Sequence, residues 1–160
     1  MRHFNLKQNI QNIISALNNA QTNNSVKISL DYDKDLPETF ISDQVKLSQI
    51  LINLIGNSIK FTKDGTIWVR VKKQSHKKLK YRLLFEVEDN GIGFNEKYLK
   101  NIFKPFRRLH SKDQYEGTGM GLFICQKIVA GHGGTITATS CPHNGSTFII
   151  TLPLKQSELN

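Results

Sequence analysis

The sequence predicts an α+β fold in which one mixed sheet is covered by helices on one face. Apolar residues recur every three or four positions in some stretches, which is the spacing of an amphipathic helix. Other stretches alternate apolar and polar residues, as half-buried strands do, and several of these lie next to each other along the chain. Because helices and antiparallel hairpins are segregated, the α+β class is favoured over a repeated βαβ pattern.

The first part of the chain contains two predicted helices and a strand. Residues 6–17 have helical spacing, which fades in an Asn-rich stretch at 18–24. Residues 26–30 alternate and predict a half-buried strand. Ser42 or Asp43 is suited to cap a second helix. Its predicted buried face consists of Leu47, Ile50, Leu51, Leu54 and Ser58.

The rest of the chain contains two predicted hairpins and a helix. Strands are predicted over residues 66–73 and 81–88, with the lysine-rich segment between them as the hairpin loop. A helix fits residues 122–130. Two alternating runs, 135–139 and 147–154, predict a closing hairpin.

Composition places the chain among soluble globular proteins. It has 160 residues, of which 38% are hydrophobic and 22% charged, which suits a single domain over residues 1–160 and excludes the disordered class. No apolar run approaches the roughly 18 residues of a membrane span, and no signal-peptide pattern is found. The two cysteines, Cys125 and Cys141, are too few for a disulfide framework and are expected to be reduced in the cytoplasm.

The net charge of +9 favours an anionic partner without identifying it. Six of the basic residues fall within positions 72–82. This cluster fits a solvated hairpin tip or a nucleic-acid patch. The first is favoured because the cluster lacks the interleaved aromatic residues that stack on bases, so no nucleic-acid partner is expected.

A polar stripe on the second helix is the first candidate for chemistry. Asn53, Asn57 and Lys60 lie within about 60° of one another around a helix, beside its apolar face. Amide oxygens coordinate hard cations and lysine meets phosphate oxygens, so Mg²⁺-bound phosphates would satisfy all three. A helix whose amphipathic boundary merely carries Asn and Lys fits equally well.

The second candidate is the segment Asp89-Asn90-Gly91-Ile92-Gly93-Phe94, which follows a predicted strand. An ionised Asp89 only accepts hydrogen bonds, so it matches the exocyclic amine of adenine and opposes the carbonyl of guanine. The two glycines would let a planar ligand approach closely. Taken alone, the segment also fits a plain Asp-Asn-Gly turn.

The third candidate is Gly117-Thr118-Gly119-Met120-Gly121-Leu122, at the start of the third predicted helix. Glycines there would let main-chain N–H groups reach a phosphate at a helix N-terminus. The spacing matches neither the dinucleotide fingerprint nor the Walker loop. A flexible hinge is the alternative.

In this order, the motifs resemble those of the catalytic ATP-binding domain of sensor histidine kinases, within the gyrase–Hsp90–histidine kinase–MutL superfamily. The resemblance covers nearly the whole chain, from about residue 4 to residue 154. Residues 43–62 resemble the N box, 89–93 and 117–121 the two glycine boxes, 102–106 the F box, and 145–148 the last box.

The resemblance implies a Bergerat-type α/β sandwich with ATP held between the N-box helix and a lid at residues 107–116. It implies that Asn57 coordinates Mg²⁺, while Asn53, Lys60 and Arg108 contact the phosphates and act as the catalytic residues. Because Asn53 stands where the ATPase branches of the superfamily carry a glutamate base, fast hydrolysis is not expected.

At the adenine end, the resemblance implies that Asp89 takes the amine, with Gly93 beside the base and Thr147 supporting Asp89 and an ordered water. The whole implied nucleotide-binding set is Asn53, Asn57, Lys60, Phe61, Asp89, Gly91, Gly93, Phe94, Ile102, Arg108, Gly117, Thr118, Gly119, Met120, Gly121, Leu122 and Thr147.

The family's phosphoacceptor is a histidine followed by an acidic residue, and none of the five histidines here is followed by one. The chain is therefore expected to be a catalytic domain that cannot phosphorylate itself. It is also expected to be monomeric, because the family dimerises through helices that this chain does not include. Its implied partners are a histidine-bearing dimerisation domain of the same parent protein and a response regulator receiver domain. A cytoplasmic location is expected, with a membrane anchor in the parent left open. The alternative is a degenerate, non-catalytic module that senses nucleotide or serves as a docking surface.

Overall fold

The computed structural model describes residues 1–21, 25–105 and 120–158. Within these residues, seven strands form one mixed sheet in the order β1-β3-β7-β5-β4-β2, with β6 also paired to β7. The strands are β1 (Arg2–Asn5), β2 (Val26–Tyr32), β3 (Thr39–Ser42), β4 (Gly65–Lys77), β5 (Lys80–Glu88), β6 (Thr135–Ser140) and β7 (Ser146–Gln156).

Four α-helices and one 3₁₀ turn lie among the described residues. The helices are α1 (Leu6–Ala20), α2 (Gln44–Phe61), α3 (Leu99–Ile102) and α4 (Gly121–Gly131), and the 3₁₀ turn spans Glu96–Tyr98. Within the described part of the chain, no helix is both long and apolar enough to cross a membrane.

Helix α2 begins as the sequence predicts. The Asp43 carboxylate accepts a hydrogen bond from the Lys46 N–H at 3.0 Å and so caps the helix. The five residues predicted for its inner face are all buried, which confirms that prediction. Because residues three and four apart share a helix face, this packing fixes which side chains lie at the boundary of the apolar stripe.

The helices cover one face of the sheet. In β4, Ile67, Val69 and Val71 are fully buried, whereas the intervening Trp68 is 43% exposed. The face that carries Trp68, here called the open face, holds the Arg70–Glu88 ion pair, with 2.7 Å between Nη1 and Oε1. Among the described strands, only β2 and β4 pair in parallel, and the other pairs are antiparallel. The predicted class, a mixed sheet covered on one face, is confirmed.

The prediction of a lysine-rich loop between β4 and β5 is wrong. The two strands continue pairing as far as Lys77 and Lys80, and Lys78 turns the chain at φ 56°. The pairing shifts between Lys73 and Ser75. Long charged side chains at the exposed end of a sheet extend into solvent while the main-chain hydrogen bonds between the strands continue. The run of lysines is therefore compatible with paired strands and does not by itself indicate a loop.

Candidate functional site

The end of α2 and the loop after β5 are joined through main-chain contacts. The Ile92 N–H donates to the Phe61 carbonyl oxygen at 3.2 Å. A Cβ added at Gly91 would overlap that same oxygen, so only glycine lets the loop lie this close. The fold therefore brings together the first two motifs singled out in the sequence.

Asp89 is the buried acid at the centre of this junction. Its Oδ1 atom accepts hydrogen bonds from the Gly91 N–H at 3.0 Å and the Ser146 N–H at 3.2 Å. Burial raises the pKa of the Asp89 carboxyl above its ordinary value, and the hydrogen bonds to Gly91 and Ser146 oppose this increase. Both of these main-chain bonds go to Oδ1, and among the described residues no main-chain N–H donates to Oδ2.

Two buried hydroxyl groups lie beside this acid. The oxygens of Ser58 and Thr62 have no hydrogen-bond partner among the described residues. The Ser58 hydroxyl lies close enough to Asp89 to favour its ionised form, although the two do not form a hydrogen bond of normal geometry. A buried hydroxyl without a partner costs about 1–3 kcal/mol, so the pair indicates a place where a polar ligand or water binds.

The sequence predicts Ser58 only as part of the apolar face of α2 and gives no role at the site to Thr62. A hydroxyl within an otherwise apolar helical stripe was the available signal for Ser58. For Thr62 the sequence offers no such signal, because its burial depends on Gly91. Thr62 Oγ1 lies 2.9 Å from the position that a Cβ on Gly91 would take.

The turn between β6 and β7 closes the other side of the loop. The His143 N–H donates to the Ile92 carbonyl oxygen at 2.6 Å, and the Phe94 N–H donates to Ser140 Oγ at 2.8 Å. Gly93 has φ +62°, and a Cβ there would overlap the Cys141 carbonyl oxygen. The site loop is thus fixed by main chain on both sides.

Replacing Gly93 with alanine is therefore expected to lower the free energy of unfolding by about 2 kcal/mol or more. The left-handed conformation alone costs roughly 1–2 kcal/mol for a residue with a Cβ, and the overlap with Cys141 adds to it. Gly56→Ala is the matched control: an added Cβ there meets nothing within 4 Å, so it should stabilise α2 by up to about 1 kcal/mol. Chemical denaturation measures both. Equal effects of the two substitutions would contradict the close approach at Gly93.

The polar stripe of α2 lies beside the N-terminus of α4. The Asn53 amide oxygen is 3.7 Å from the position of a Cβ added to Gly121, the first residue of α4. Asn53 and Asn57 are partly exposed, and Lys60 is exposed with Nζ 5.3 Å from the centre of the Phe61 ring. The stripe therefore presents two amides and one ammonium group near a helix N-terminus, which carries positive potential.

A metal ion here would depend on amide and ligand oxygens. Among the residues that the structure describes, no group of three or more His, Cys, Asp or Glu side chains could hold a metal ion. The amide oxygen of Asn57 is a donor that Mg²⁺ accepts, and Mg²⁺ commonly takes most of its other ligands from water and phosphate. This donor set fits a Mg²⁺ ion carried by a polyphosphate.

Helix α4 packs on α2 through Cys125. Its buried thiol donates to the Ile50 carbonyl oxygen at 3.7 Å, and burial raises the pKa of the thiol to about 11. Cys125 is thus neutral at physiological pH, and both cysteines are free. Met120 and Leu122, which the sequence placed in the nucleotide set, are partly exposed around the start of α4.

Aromatic packing fixes the F-box region. Ile102 and Phe103 are buried, and the Phe103 ring meets Phe148 edge-on at 6.5 Å between ring centres. Phe94 also lies 6.5 Å from Phe148, so this ring links the site loop to β7. The predicted lid at residues 107–116, which includes Arg108, lies outside the described residues. The same holds for three residues predicted to bind nucleotide, Gly117, Thr118 and Gly119.

Thr147 lies one residue away from the contacts made by Ser146. Strand alternation puts Ser146 and Phe148, both buried, on the covered side of β7. Thr147 pairs with Glu88 and falls on the other side. The Ser146 N–H donates to Asp89 Oδ1, so Ser146 is the residue of β7 that holds the Asp89 side chain in place. The role of Thr147 in binding nucleotide stays a prediction.

Comparison with known protein families shows the family to which this chain belongs. Residues 42–156 match the model of the histidine kinase-, DNA gyrase B-, and HSP90-like ATPases. The chain belongs to this ATPase family. The match includes α2, the loop after β5, α4 and β7, and it confirms the resemblance found in the motifs.

Relatives in this ATPase family include signalling kinases. The chain is 34% identical over 147 residues to the histidine-protein kinase BarA of Escherichia coli, covering 91% of this chain and 16% of BarA. It is 42% identical over 114 residues to the phytochrome-like protein Cph1 of Synechocystis, covering 71% of this chain and 15% of Cph1. The chain thus spans about one sixth of the length of these relatives.

Solved structures of histidine kinases share the ATPase-family fold. Full-length ShkA in complex with AMPPNP has a TM-score of 0.83 at 22% identity, over 98% of this chain and 31% of ShkA. The nucleotide-free catalytic domain of the histidine kinase ThkA has a TM-score of 0.74 at 27% identity, over 95% of this chain and 94% of that one. Both likenesses confirm the predicted α/β sandwich.

Proposed function

We propose that this domain binds Mg-ATP and donates the γ-phosphate to a histidine on a separate dimerisation domain of its parent protein. The observation that carries the proposal is the buried Asp89, whose Oδ1 is held by two main-chain N–H groups while Oδ2 remains for a ligand. Membership of the ATPase family and its histidine kinase relatives support the same function.

At the adenine end, Asp89 Oδ2 accepts a hydrogen bond from the exocyclic amine. The hydroxyls of Ser58 and Thr62 hydrogen-bond to the base edge or to a water beside it, which removes the cost of burying them without partners. Gly91 and Gly93 hold the loop that carries Asp89 in place, because a Cβ at either position would overlap the main chain packed against it. A carbonyl at the same place on guanine would oppose the carboxylate, so ATP is favoured over GTP.

At the phosphate end, the α2 stripe holds the charge. Asn57 would coordinate Mg²⁺, and Asn53, Lys60 and Arg108 would contact phosphate oxygens. Bound Mg²⁺ neutralises negative charge on the phosphate oxygens. Lys60 is exposed beside the site and carries a compact charge on a flexible stem, which suits contact with a mobile phosphate.

The transfer itself needs positioning more than base chemistry from this chain. The imidazole nitrogen of the partner histidine attacks the γ-phosphorus, a P–N bond forms, and the bond to the ADP oxygen breaks. The imidazole proton passes to the acidic residue that follows the histidine in its own domain. A receiver domain of a response regulator then takes the phosphoryl group, and the proposed reactions occur in the cytoplasm.

Transfer is tested by mixing this domain with the dimerisation domain of its parent and ATP labelled on the γ-phosphate. We expect acid-labile label on the dimerisation domain, none on this chain alone, and none when the phosphoacceptor histidine is replaced by glutamine. Lys60→Ala should lower the rate, because a cation near the transferred phosphate stabilises the charge that develops.

Binding of ATP without any transfer would contradict the kinase proposal. It would instead support the second candidate, a non-catalytic module that senses nucleotide. The intact donor set around Asp89 favours nucleotide binding in either case. Failure to bind ATP, measured by calorimetry with Mg²⁺ present, would contradict both.

A further inference from the structure

Strand β2 is the last strand of the described sheet, and one of its edges has no strand partner among the described residues. Within the described residues it pairs only with β4. The Gly65 N–H donates to the Ser25 carbonyl at 3.3 Å, and the Asp33 N–H donates to the Val71 carbonyl at 2.9 Å. In a strand the main-chain groups alternate in direction, so the odd-numbered residues of this segment bond to β4. The even-numbered residues 26, 28, 30 and 32 therefore direct their N–H and C=O groups to the free edge.

Apart from the exposed charges of Lys27 and Asp31, the described part of this edge has few of the features that usually protect an edge strand. It is seven residues long, contains no proline, and pairs with β4 without a shift in register. One interaction covers part of it: Gln21 Nε2 donates to the Val26 carbonyl at 3.3 Å. The remaining edge is a template on which another strand can pair.

A groove lies between α1 and β2 next to this edge. Its volume is about 680 Å³, and it is lined by Lys7, Gln11 and Ile14 of α1 and by Ile28, Leu30 and Tyr32 of β2. Helix α1 thus lies on the covered side of the sheet, where Lys7 Nζ is 5.9 Å from the centre of the Tyr32 ring of β2. None of the predicted nucleotide-binding residues lines the groove.

The sequence of β2 is complementary to itself when it is read in the opposite direction. The strand is Val-Lys-Ile-Ser-Leu-Asp-Tyr, with Ser29 at its centre. Lys27 and Asp31 are both exposed and lie two residues on either side of Ser29, on the open face. Ile28 and Leu30 are one residue on either side, and they point to the covered side. Antiparallel pairing about Ser29 would match opposite charges on one face and apolar residues on the other.

We propose that a second copy of this chain pairs antiparallel along β2, with Ser29 facing Ser29 of the partner subunit. Lys27 then lies opposite Asp31 of the partner subunit, and the two-fold axis repeats that contact. The two sheets join into one continuous sheet. This contact is additional to any dimerisation through helices outside this chain, and it differs from the monomer that the family resemblance implies.

The main-chain geometry supports the same register. Antiparallel strands exchange hydrogen bonds only between residues whose polar groups face each other. Pairing about Ser29 puts Ile28 opposite Leu30 of the partner subunit and Val26 opposite Tyr32 of the partner subunit, all of which direct their main-chain groups to the edge. Lys27 and Asp31 then fall at non-hydrogen-bonded positions, where facing side chains are closest. A shift by two residues would place Lys27 opposite Ser29 or Asp33 and would shorten the overlap.

A second copy of this chain is favoured over a different partner because the charges of β2 are complementary to those of the same strand running antiparallel. The strand carries one positive and one negative side chain, so pairing leaves neither charge facing a like charge. The overall charge of +9 opposes association, but salt at physiological concentration screens charges beyond about 8 Å. The short-range attraction between the facing opposite charges on β2 is then expected to outweigh the repulsion between the two chains.

Charge exchange tests the proposal. Analytical ultracentrifugation at physiological salt, over a wide range of concentration, should show the wild type in a monomer–dimer equilibrium. Lys27→Asp alone should weaken the dimer by about tenfold or more, because both contacts then join like charges. Adding Asp31→Lys should restore the affinity to within about threefold of the wild type. Lys72→Asp, an exposed site on β4, has the same net charge as Lys27→Asp and should leave the dimer intact.

Cross-linking tests the register without relying on charge. Cα atoms at a non-hydrogen-bonded pair are about 4.5 Å apart, which a disulfide can span. Ser29→Cys, made together with Cys141→Ser, should give a disulfide-linked dimer under mild oxidation. Thr137→Cys in the same background should not, because that exposed residue lies on β6. A wild type that stays monomeric, a dimer unaffected by Lys27→Asp, or a Ser29→Cys protein that does not cross-link would each overturn the proposal.

Discussion

Replacing Asp89 with asparagine is expected to weaken ATP binding by about 10- to 100-fold, which corresponds to a loss of roughly 1.5–3 kcal/mol for a charge-assisted hydrogen bond. The Gly91 and Ser146 N–H groups both donate to Oδ1, so the amide oxygen of the substituted side chain will keep that position. The amide nitrogen then takes the place of Oδ2. A donor would face the adenine amine, which is also a donor.

The same substitution should not destabilise the protein without ligand. Because burial raises the pKa of Asp89, the ionised carboxylate costs folding free energy at neutral pH, and asparagine removes that cost. The wild type gains stability as the pH falls through this raised pKa towards the ordinary value of 3.8, while the variant does not. The advantage of the variant in thermal unfolding should therefore be greatest near neutral pH and should shrink in acid.

Base specificity provides the control for Asp89→Asn. Inosine triphosphate carries a carbonyl where ATP carries the amine, so the variant should bind it relatively better than the wild type does. Asp35→Asn makes the same chemical change at an exposed position and should alter neither affinity. Calorimetry measures all three proteins with both nucleotides. Equal binding of ATP and inosine triphosphate by the wild type would show that Asp89 does not recognise the base.

The fold class and the inner face of α2 could be predicted because both depend on local periodicity. Apolar residues at helical spacing fix which face of α2 is buried, and Asp43 fixes where the helix begins. The alternation of β4 and β5 likewise separates their two faces. In these elements the same residues determine the local structure and the packing.

The elements that sequence reasoning missed depend on pairing with distant parts of the chain. Strands β1 and β3 have four residues each and are defined by their mutual pairing and the contact of β3 with β7. Such short segments carry little periodicity. The extension of β4 to Lys77 depends on its ladder with β5, and no local pattern indicates it.

The residues of the candidate site fall into the same two groups, those that a local pattern predicts and those that depend on distant parts of the chain. Asp89, Gly91 and Gly93 could be identified because carboxylates and glycines after a strand form a local motif. The support from Ser146 arises from the register of β7 against β5, which brings together residues 57 positions apart. The contact of Gly93 with Cys141 likewise joins distant parts of the chain. Burial of Thr62 depends on the approach of Gly91. These contacts follow from tertiary packing, which residue types alone do not specify.

Replacing Asn57 with alanine is expected to remove the part of ATP affinity that requires Mg²⁺, while the fold stays intact. Asn57 is partly exposed on α2, and alanine favours a helix more than asparagine by roughly 0.5 kcal/mol, so no loss of stability is expected. The amide oxygen is the only ligand that this prediction assigns to the metal from the protein side, and alanine provides no replacement. Calorimetric affinity for ATP should therefore depend on Mg²⁺ in the wild type and become nearly independent of it in the variant.

The control for Asn57→Ala lies on the same helix. Gln49→Ala also removes an amide from α2, but at an exposed position two turns before Asn57, roughly 12 Å away along the helix axis. It should retain the full dependence of ATP affinity on Mg²⁺, which separates loss of a metal ligand from a general change in the helix. If Asn57→Ala gave a normal circular dichroism spectrum and the same Mg²⁺-dependent affinity as Gln49→Ala, the metal would have to be held elsewhere.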